Sequence, residues 1–465
     1  MKFFSLRLSG LSFLLILSSL HQVSVAQTLS QSPYGRFGPG DKLYTTSPFL
    51  QSMGGVSQAL ADSNILNLNQ PASLASLESG VTIFEAGLTG TSTTYDFANQ
   101  SSMGRTAGFG YFGLAFPIKK KVWNMAISLS PSSNVGYFLR DTINDPSAGT
   151  IFLGYEGSGG YSNFAIGNGF QIGKNLSLGL QVRYVFGRVD YSSQVVFVEG
   201  QNEGLRNSLV TRTNRMGDIQ FETGLMYTKR FHRAGYKNPQ ASTRNKRFED
   251  RDSLILIIGG TFRPATELNG SYTYLAQTYF GGSPTNPIAF TDTIAFDDRL
   301  TGVFNMPMQY GGGVTLGSSS KKWVASGDVV YTNYDSFRIF GQQDSVRSSY
   351  RASIGFQINP MPTVKVGSGK VSYLKKIRYR AGAYYSDGML RIDGNAVPEM
   401  GVSIGLGLPI SLRTYNTKPA TSILNFTLSV GQRGAKGTNP LVEQYIRGTI
   451  GFSLNDRWFR KVQYD

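Results

Sequence analysis

The chain has 465 residues and no cysteine. Disulfide staples and thiolate metal sites are therefore excluded. Histidine is almost as scarce, with only His21 and His232. His21 falls in the leader described below, so the rest of the chain has one imidazole. A site built from several histidines is excluded, and a hydrolase using a histidine base would depend on His232 alone. That residue is expected in a solvated turn. Charged residues make up only 16%. Past the first twenty-six residues there is no run of ~18 apolar residues, so no membrane helix is expected.

The N-terminus sets the compartment. Lys2 and Arg7 lead into the apolar run Leu11 to Leu20, and Ser24-Val25-Ala26 precedes Gln27. A charged start, an apolar centre and a small-residue cleavage site make a secretory signal peptide over 1–26. The absence of cysteine after the cut excludes a lipoprotein. A secreted chain without membrane helices can still span lipid as a closed barrel, in which every backbone polar group is paired.

What the chain does have is alternation. Leu176, Leu178, Leu180, Val182, Tyr184 and Phe186 interleave with Ser177, Gly179, Gln181, Arg183, Val185 and Gly187. On a strand, successive side chains point to opposite faces, so one face here is apolar and the other small or polar. The pattern returns at Val402 to Ile410, Leu424 to Val430 and Ile446 to Leu454. A membrane barrel turns the apolar face to lipid and the polar face to its lumen. The 25 tyrosines and 30 phenylalanines suit interfacial girdles, and the 55 glycines suit crowded interiors and turns.

The expected fold is all-β: a transmembrane antiparallel β-barrel of 14 strands with a small N-terminal plug. Residues 27–80 show no sustained alternation and form the plug, or hatch. Residues 81–465 form the barrel. Strands are expected near 81–96, 106–118, 122–142, 160–172, 176–199, 213–231, 253–280, 298–317, 322–340, 347–359, 375–391, 396–411, 420–434 and 441–456. The run 253–280 is kept as one strand with a bulge at Pro264, where proline removes a ladder hydrogen bond anyway. An even count puts both ends of the barrel on the periplasmic side. Short periplasmic turns are expected at Lys119-Lys120-Lys121, Gly173-Lys174-Asn175 and 318–322, with a longer one at 232–251. Outer loops are expected at 142–160, 200–213 and 281–298. The last strand ends near Trp458 and Phe459, which suits recognition by the barrel-assembly machinery during biogenesis.

Within the plug stand Met53-Gly54-Gly55-Val56, Ala59-Leu60-Ala61-Asp62 and Asn69-Gln70-Pro71-Ala72-Ser73-Leu74. This series resembles the N-terminal part of the long-chain fatty-acid transporter (FadL-like) family. Gln70 departs from the family's Asn-Pro-Ala signature. Ser32 to Gly38 and Gly451 to Phe459 look like a Bacteroidetes-type branch. The resemblance implies a fourteen-stranded barrel with an N-terminal hatch. It also implies uptake of hydrophobic compounds through a wall opening beside a kinked third strand. Pro131-Ser132-Ser133-Asn134-Val135-Gly136 interrupts the third strand here, so Pro131, Asn134 and Gly136 are candidates for that opening.

Motifs for chemistry do not survive scrutiny. Gly108 to Gly113 fits GxGxxG but lies inside a strand, with no helix to receive a pyrophosphate. Gly401 to Gly405 fits the nucleophile-elbow spacing but also lies within a strand. Asp292, Asp297 and Asp298 could hold Ca²⁺ or act as acid and base, yet fit a solvated outer loop. No catalytic residue, metal or cofactor is expected. The net charge of +16 is scattered rather than clustered, which argues against nucleic acid.

The leading expectation is outer-membrane transport of hydrophobic small molecules. Phe49, Leu50, Met53 and Leu60 would supply apolar contact at the hatch. Arg378 and Arg380, with Arg183, would attract an anionic head group or else pair with Asp328 and Glu222 in a structural network. Membrane lipid, the substrate and the assembly machinery are the expected partners. Two other classes stay open: an anion-preferring porin, and a barrel scaffold subunit of an envelope secretion or assembly complex. A TonB-type transporter is too large for this chain.

Overall fold

The computed structural model describes residues 30–43, 46–98, 100–197, 205–231, 253–283, 286–360, 372–411 and 421–456. The expected leader, the expected 232–251 turn with His232, and the terminal Trp458 and Phe459 lie outside them. No helix among the described residues is long and apolar enough to cross a membrane.

Fourteen strands close into one antiparallel ring. They are β1 (Thr82–Phe97), β2 (Gln100–Lys119), β3 (Trp123–Asp145), β4 (Gly149–Ile172), β5 (Leu176–Phe197) and β6 (Asn207–Phe231). β7 runs as Leu254–Arg263 and resumes as Thr266–Ser283. β8 runs as Asn286–Met306 and resumes as Gln309–Ser318. The ring continues with β9 (Trp323–Thr332), β10 (Ser349–Ile358), β11 (Arg378–Ser386), β12 (Glu399–Ser411), β13 (Thr421–Arg433) and β14 (Leu441–Asp456). β1 pairs with β14 from Thr82↔Asp456 to Phe97↔Leu441 and closes the sheet. Closure removes the two sheet edges that an open sheet would expose.

The alternation explains which side faces out. Leu180, Val182, Tyr184, Val402, Ile404, Ile446 and Ile450 are exposed on the outer surface. Their neighbours Gln181, Arg183, Ser403, Tyr445 and Thr449 are buried inside. β9, β10 and β11 have only ten, ten and nine residues. That is about the length a tilted strand needs to cross the hydrocarbon layer, ~9–11 residues. β3 to β6 have 22 to 25 residues and rise well past this band.

That excess height corrects all three expected outer loops, the 200–213 loop from Asn207 onward, where β6 begins. Residues 142–160 are mostly strand, with β3 ending at Asp145 and β4 starting at Gly149. Residues 281–298 are likewise the tip of the β7–β8 hairpin. Beyond the membrane neither face needs to be apolar, so the two-residue period fades while the pairing persists. Phe290 to Leu300 are almost all exposed, whichever face they are on.

Three breaks in the wall follow prolines, one of them at Pro307, where β8 stops at Met306 and resumes at Gln309. β7 stops at Arg263 and resumes at Thr266, so Pro264 interrupts one ring strand and the count stays even. Its lower part pairs with Thr223–Phe231 of β6 and its upper part with Asn207–Met216. The third break lies between β2 and β3. Their ladder runs from Lys119↔Trp123 only to Phe112↔Leu129. Above it, β2 pairs only with β1 and β3 mainly with β4, which shifts register between Pro131 and Ser133.

Candidate functional site

Inside the ring lies the chain from Ser30 to Leu77, and the wall is built to receive it. A Cβ on Gly355 or Gly382 would collide with Met53, one on Gly259 with Gln58, one on Gly179 with Ala72. The wall strands lack side chains where the segment's backbone passes closest. Gly54, at φ +74°, sits where a Cβ would meet Ile354 O at 2.7 Å, so both conformation and space demand glycine.

An irregular buried segment cannot satisfy its own backbone groups, so polar wall side chains do so. Asp328 on β9 accepts from the amides of Ser57 and Gln58 at 2.6 and 3.0 Å. Glu85 on β1 accepts from Leu66 N at 2.9 Å. Ser403 accepts from Gly54 N, Thr427 donates to Pro48 O, and Asn124 donates to Leu74 O. The polar inner face of the strands is therefore largely a docking surface for the segment.

The apolar side of the segment packs on itself and on the wall: Leu66, Leu74 and Leu77 cluster with Ile83, Ala115 and Ala126, and Ala59 and Ala72 with Met226 and Ile257. Phe49, Leu50, Met53 and Leu60 are all buried and cluster with Val56, Ile65 and Ile423 of β13. The four expected apolar hatch residues are thus brought together, as a core. Arg380 stands over the Phe49 ring at 4.6 Å and donates to Gln357 and Asn425 at 2.9 Å each. Arg378 pairs with Asp62 at 3.4 Å. Arg183 and Arg263 converge on Glu222. The Arg183–Glu222 pair matches the structural network expected from sequence, whereas Asp328 serves the segment's backbone. Burial pushes the Asp62 carboxyl up, but Lys321 and Arg378 outweigh it and hold the group below its ordinary range.

A second piece of the segment seals the upper break. Asp41 and Lys42 form a two-residue strand that pairs with Asn134 and Ser133 on the free edge of β3. Leu43 N donates to Ser132 O at 3.0 Å, and Ser30 N to the Asn134 side chain at 3.0 Å. Asp41 also pairs with Arg433 at 2.7 Å, and Arg433 lies over the Tyr34 ring at 4.9 Å. Ser32 donates to Glu443. Burial first, then the Glu443 charge, pushes the Tyr34 phenol up to about 12, so it stays a donor, to Leu441 O. Of the residues expected at an opening, Asn134 holds this strand, Pro131 borders the cavity, and Gly136 stays paired with Ser158 of β4.

Between the lower and upper pieces remains a cavity of about 220 Å³. Its lining includes Arg183, Glu222, Arg263, Asp328, Arg351 and Arg447. Arg351 stacks on Tyr384 at 3.8 Å. Toward the far end, Val135, Tyr137, Tyr161, Val189, Leu268 and Phe304 pack as an apolar cluster. Asp328 is expected from sequence as a partner of the arginines, not as an acceptor for the segment's amides, and the Glu85 and Asp41–Arg433 anchors are not expected at all. Their only signal is a charged residue in an inward position, and inward positions are polar throughout.

A family model described as BamG matches residues 11–465. Among solved structures, the toluene transporter TodX of Pseudomonas putida is 15% identical, covers 90% of this chain and 99% of its own, and superposes with a TM-score of 0.51. The toluene transporter TbuX of Ralstonia pickettii is 14% identical, with 88% and 97% covered and a TM-score of 0.49. A FadL homologue of Pseudomonas aeruginosa is 12% identical, with 88% and 98% covered and a TM-score of 0.46. At such identity the TodX likeness is one of fold. No curated protein matches the chain.

Proposed function

The chain belongs to the BamG family, and from that membership and the filled lumen we propose an occluded barrel subunit of an outer-membrane assembly complex. Residues 1–26 are a leader, 27–80 a hatch that stays docked, and 81–465 the barrel. The observation that carries this reading is how the lumen is filled. Residues 48–77 are tied by buried polar contacts to strands around the ring, and the remaining space mixes Arg183, Glu222, Arg263, Asp328, Arg351 and Arg447 with Leu43, Pro131, Val330, Tyr350 and Tyr384, so no wholly apolar path is left. A hydrophobic substrate needs an apolar path of comparable size. An open porin needs a continuous water column. Neither suits this interior. Phe49, Leu50, Met53 and Leu60 then hold the hatch together, and Arg378 and Arg380 fix it to the wall.

Isolation from native envelopes in mild detergent tests the proposal. Other envelope proteins are expected to co-purify in fixed stoichiometry. Recovery of the chain alone would count against it.

One observation favours a second reading, passage of hydrophobic compounds. The β2–β3 ladder ends at Phe112↔Leu129, beside the Pro131 shift, and only a two-residue strand lies along the β3 edge above. On this reading the strand withdraws and Pro131, Asn134 and Gly136 border a lateral exit. Lipid extraction of the purified protein discriminates. A specific bound fatty acid or hydrocarbon supports transport, and an empty lumen across several detergents supports the scaffold.

A further inference from the structure

The lysines of the described residues are segregated. Among the described residues, every turn at the end of the barrel that carries Thr82 and Asp456 holds at least one. Lys119, Lys120 and Lys121 join β2 to β3, and Lys174 joins β4 to β5. Lys229 and Arg230 end β6, Lys321 and Lys322 join β8 to β9, and Lys375 and Lys376 precede β11. Lys42 is inside the lumen, and Lys436 alone is at the far end. The far-end turns carry Asp145, Asp335, Asp344, Asp387 and Asp393 together with Arg338, Arg347 and Arg391, so charge there is mixed and Arg347 pairs with Asp387 at 3.0 Å.

This cationic collar borders the apolar outer wall. Ile118 and Val122 flank the first three lysines, Ile172 precedes Lys174, and Lys229 lies over the Phe231 ring at 5.1 Å. Its most developed part is the short 3-10 turn Tyr373–Lys376. Tyr373 donates to Pro409 O at 3.1 Å, and Tyr379 of β11 donates to Leu374 O at 3.0 Å. Tyr379 is itself exposed on the outer wall, so these bonds lay the turn along that wall. Tyr373 is 49% and Leu374 65% exposed, immediately before two lysines. An apolar foot with ammonium groups at the rim is the arrangement by which lysine reaches a headgroup layer.

We propose that this rim binds anionic phospholipid headgroups of the leaflet at the terminus end, with the Tyr373–Lys376 turn as its tightest site. The lysines are spread around the circumference, as a surrounding leaflet requires. An acidic protein partner would need them gathered on one side. The inference rests on the membrane-embedded reading of the barrel but not on its role as transporter or scaffold.

The test is reconstitution of the full barrel into vesicles of phosphatidylcholine with or without phosphatidylglycerol, followed by native mass spectrometry of retained lipid. The wild-type protein is expected to retain phosphatidylglycerol over phosphatidylcholine, less so as salt rises. K375Q/K376Q should weaken that preference by about five-fold per lysine at low salt, and K375R/K376R should keep it. Circular dichroism checks that each variant retains its strands. Equal retention of both lipids by an inserted wild-type barrel would overturn the proposal. So would a preference unchanged in K375Q/K376Q, or capture of an acidic envelope protein by the collar without lipid selectivity. Failure to insert into either vesicle would instead overturn the membrane reading.

Discussion

At the scale of single residues, the inner segment is held by wall side chains that serve its backbone. Asp328→Ala removes the acceptor for two amides. Leaving each of them unsatisfied costs about 1–3 kcal/mol. Hydrogen exchange at Ser57 and Gln58 should accelerate strongly while the β9–β10 ladder amides stay protected. Equal loss in both places would mean Asp328 supports the wall rather than the hatch. Gly382→Val, facing Met53 from β11, should expel the loop at Met53–Gly54 and raise ion conductance in planar bilayers. Asp62 gives a pH signature. Its folded pKa is depressed, so its contribution is fully present above the unfolded value of about 3.9 and is lost as pH falls through the lower folded value. Exchange protection around Asn64 should be flat from pH 8 to about 5 and decay below about 4. Asp62→Asn should abolish that decay.

At the scale of elements, the strands were legible because burial on one face only imposes a period of two. β14 ends and begins where the pattern does, and Pro264 breaks one strand rather than dividing it into two. Legibility failed where the physical constraint lapses. Above the lipid band Phe290 to Leu300 is wetted on both faces, so the strand has no pattern to read. The Asp41–Lys42 strand was invisible for another reason. Two residues carry no period, and their partner is a free edge created by a register shift. That edge makes a prediction. Deleting Ser30–Leu43 should leave the barrel assembled, expose the amide of Asn134 to rapid exchange and increase conductance. Unchanged exchange there would show that the strand does not guard the break.

At the scale of the whole molecule, fold and role were unequally legible. Fourteen strands, even parity and an inner N-terminal segment follow from alternation and from the change of texture near Val81. The role turns on how completely that segment fills the ring. This depends on contacts between residues hundreds of positions apart, such as Ser57 with Asp328 or Pro48 with Thr427. Residues such as Arg380 and Phe49 were candidates for substrate contact by type alone, and their placement beside each other in a closed core is what shifts the reading toward a docked hatch. The central claim is that the barrel works as an occluded member of a larger assembly. The most direct measurement is the native mass of the protein extracted intact from its own membrane. The account predicts a defined complex with other envelope proteins in fixed ratio and no hydrocarbon in the lumen. A solitary barrel carrying a bound hydrophobic molecule would contradict it.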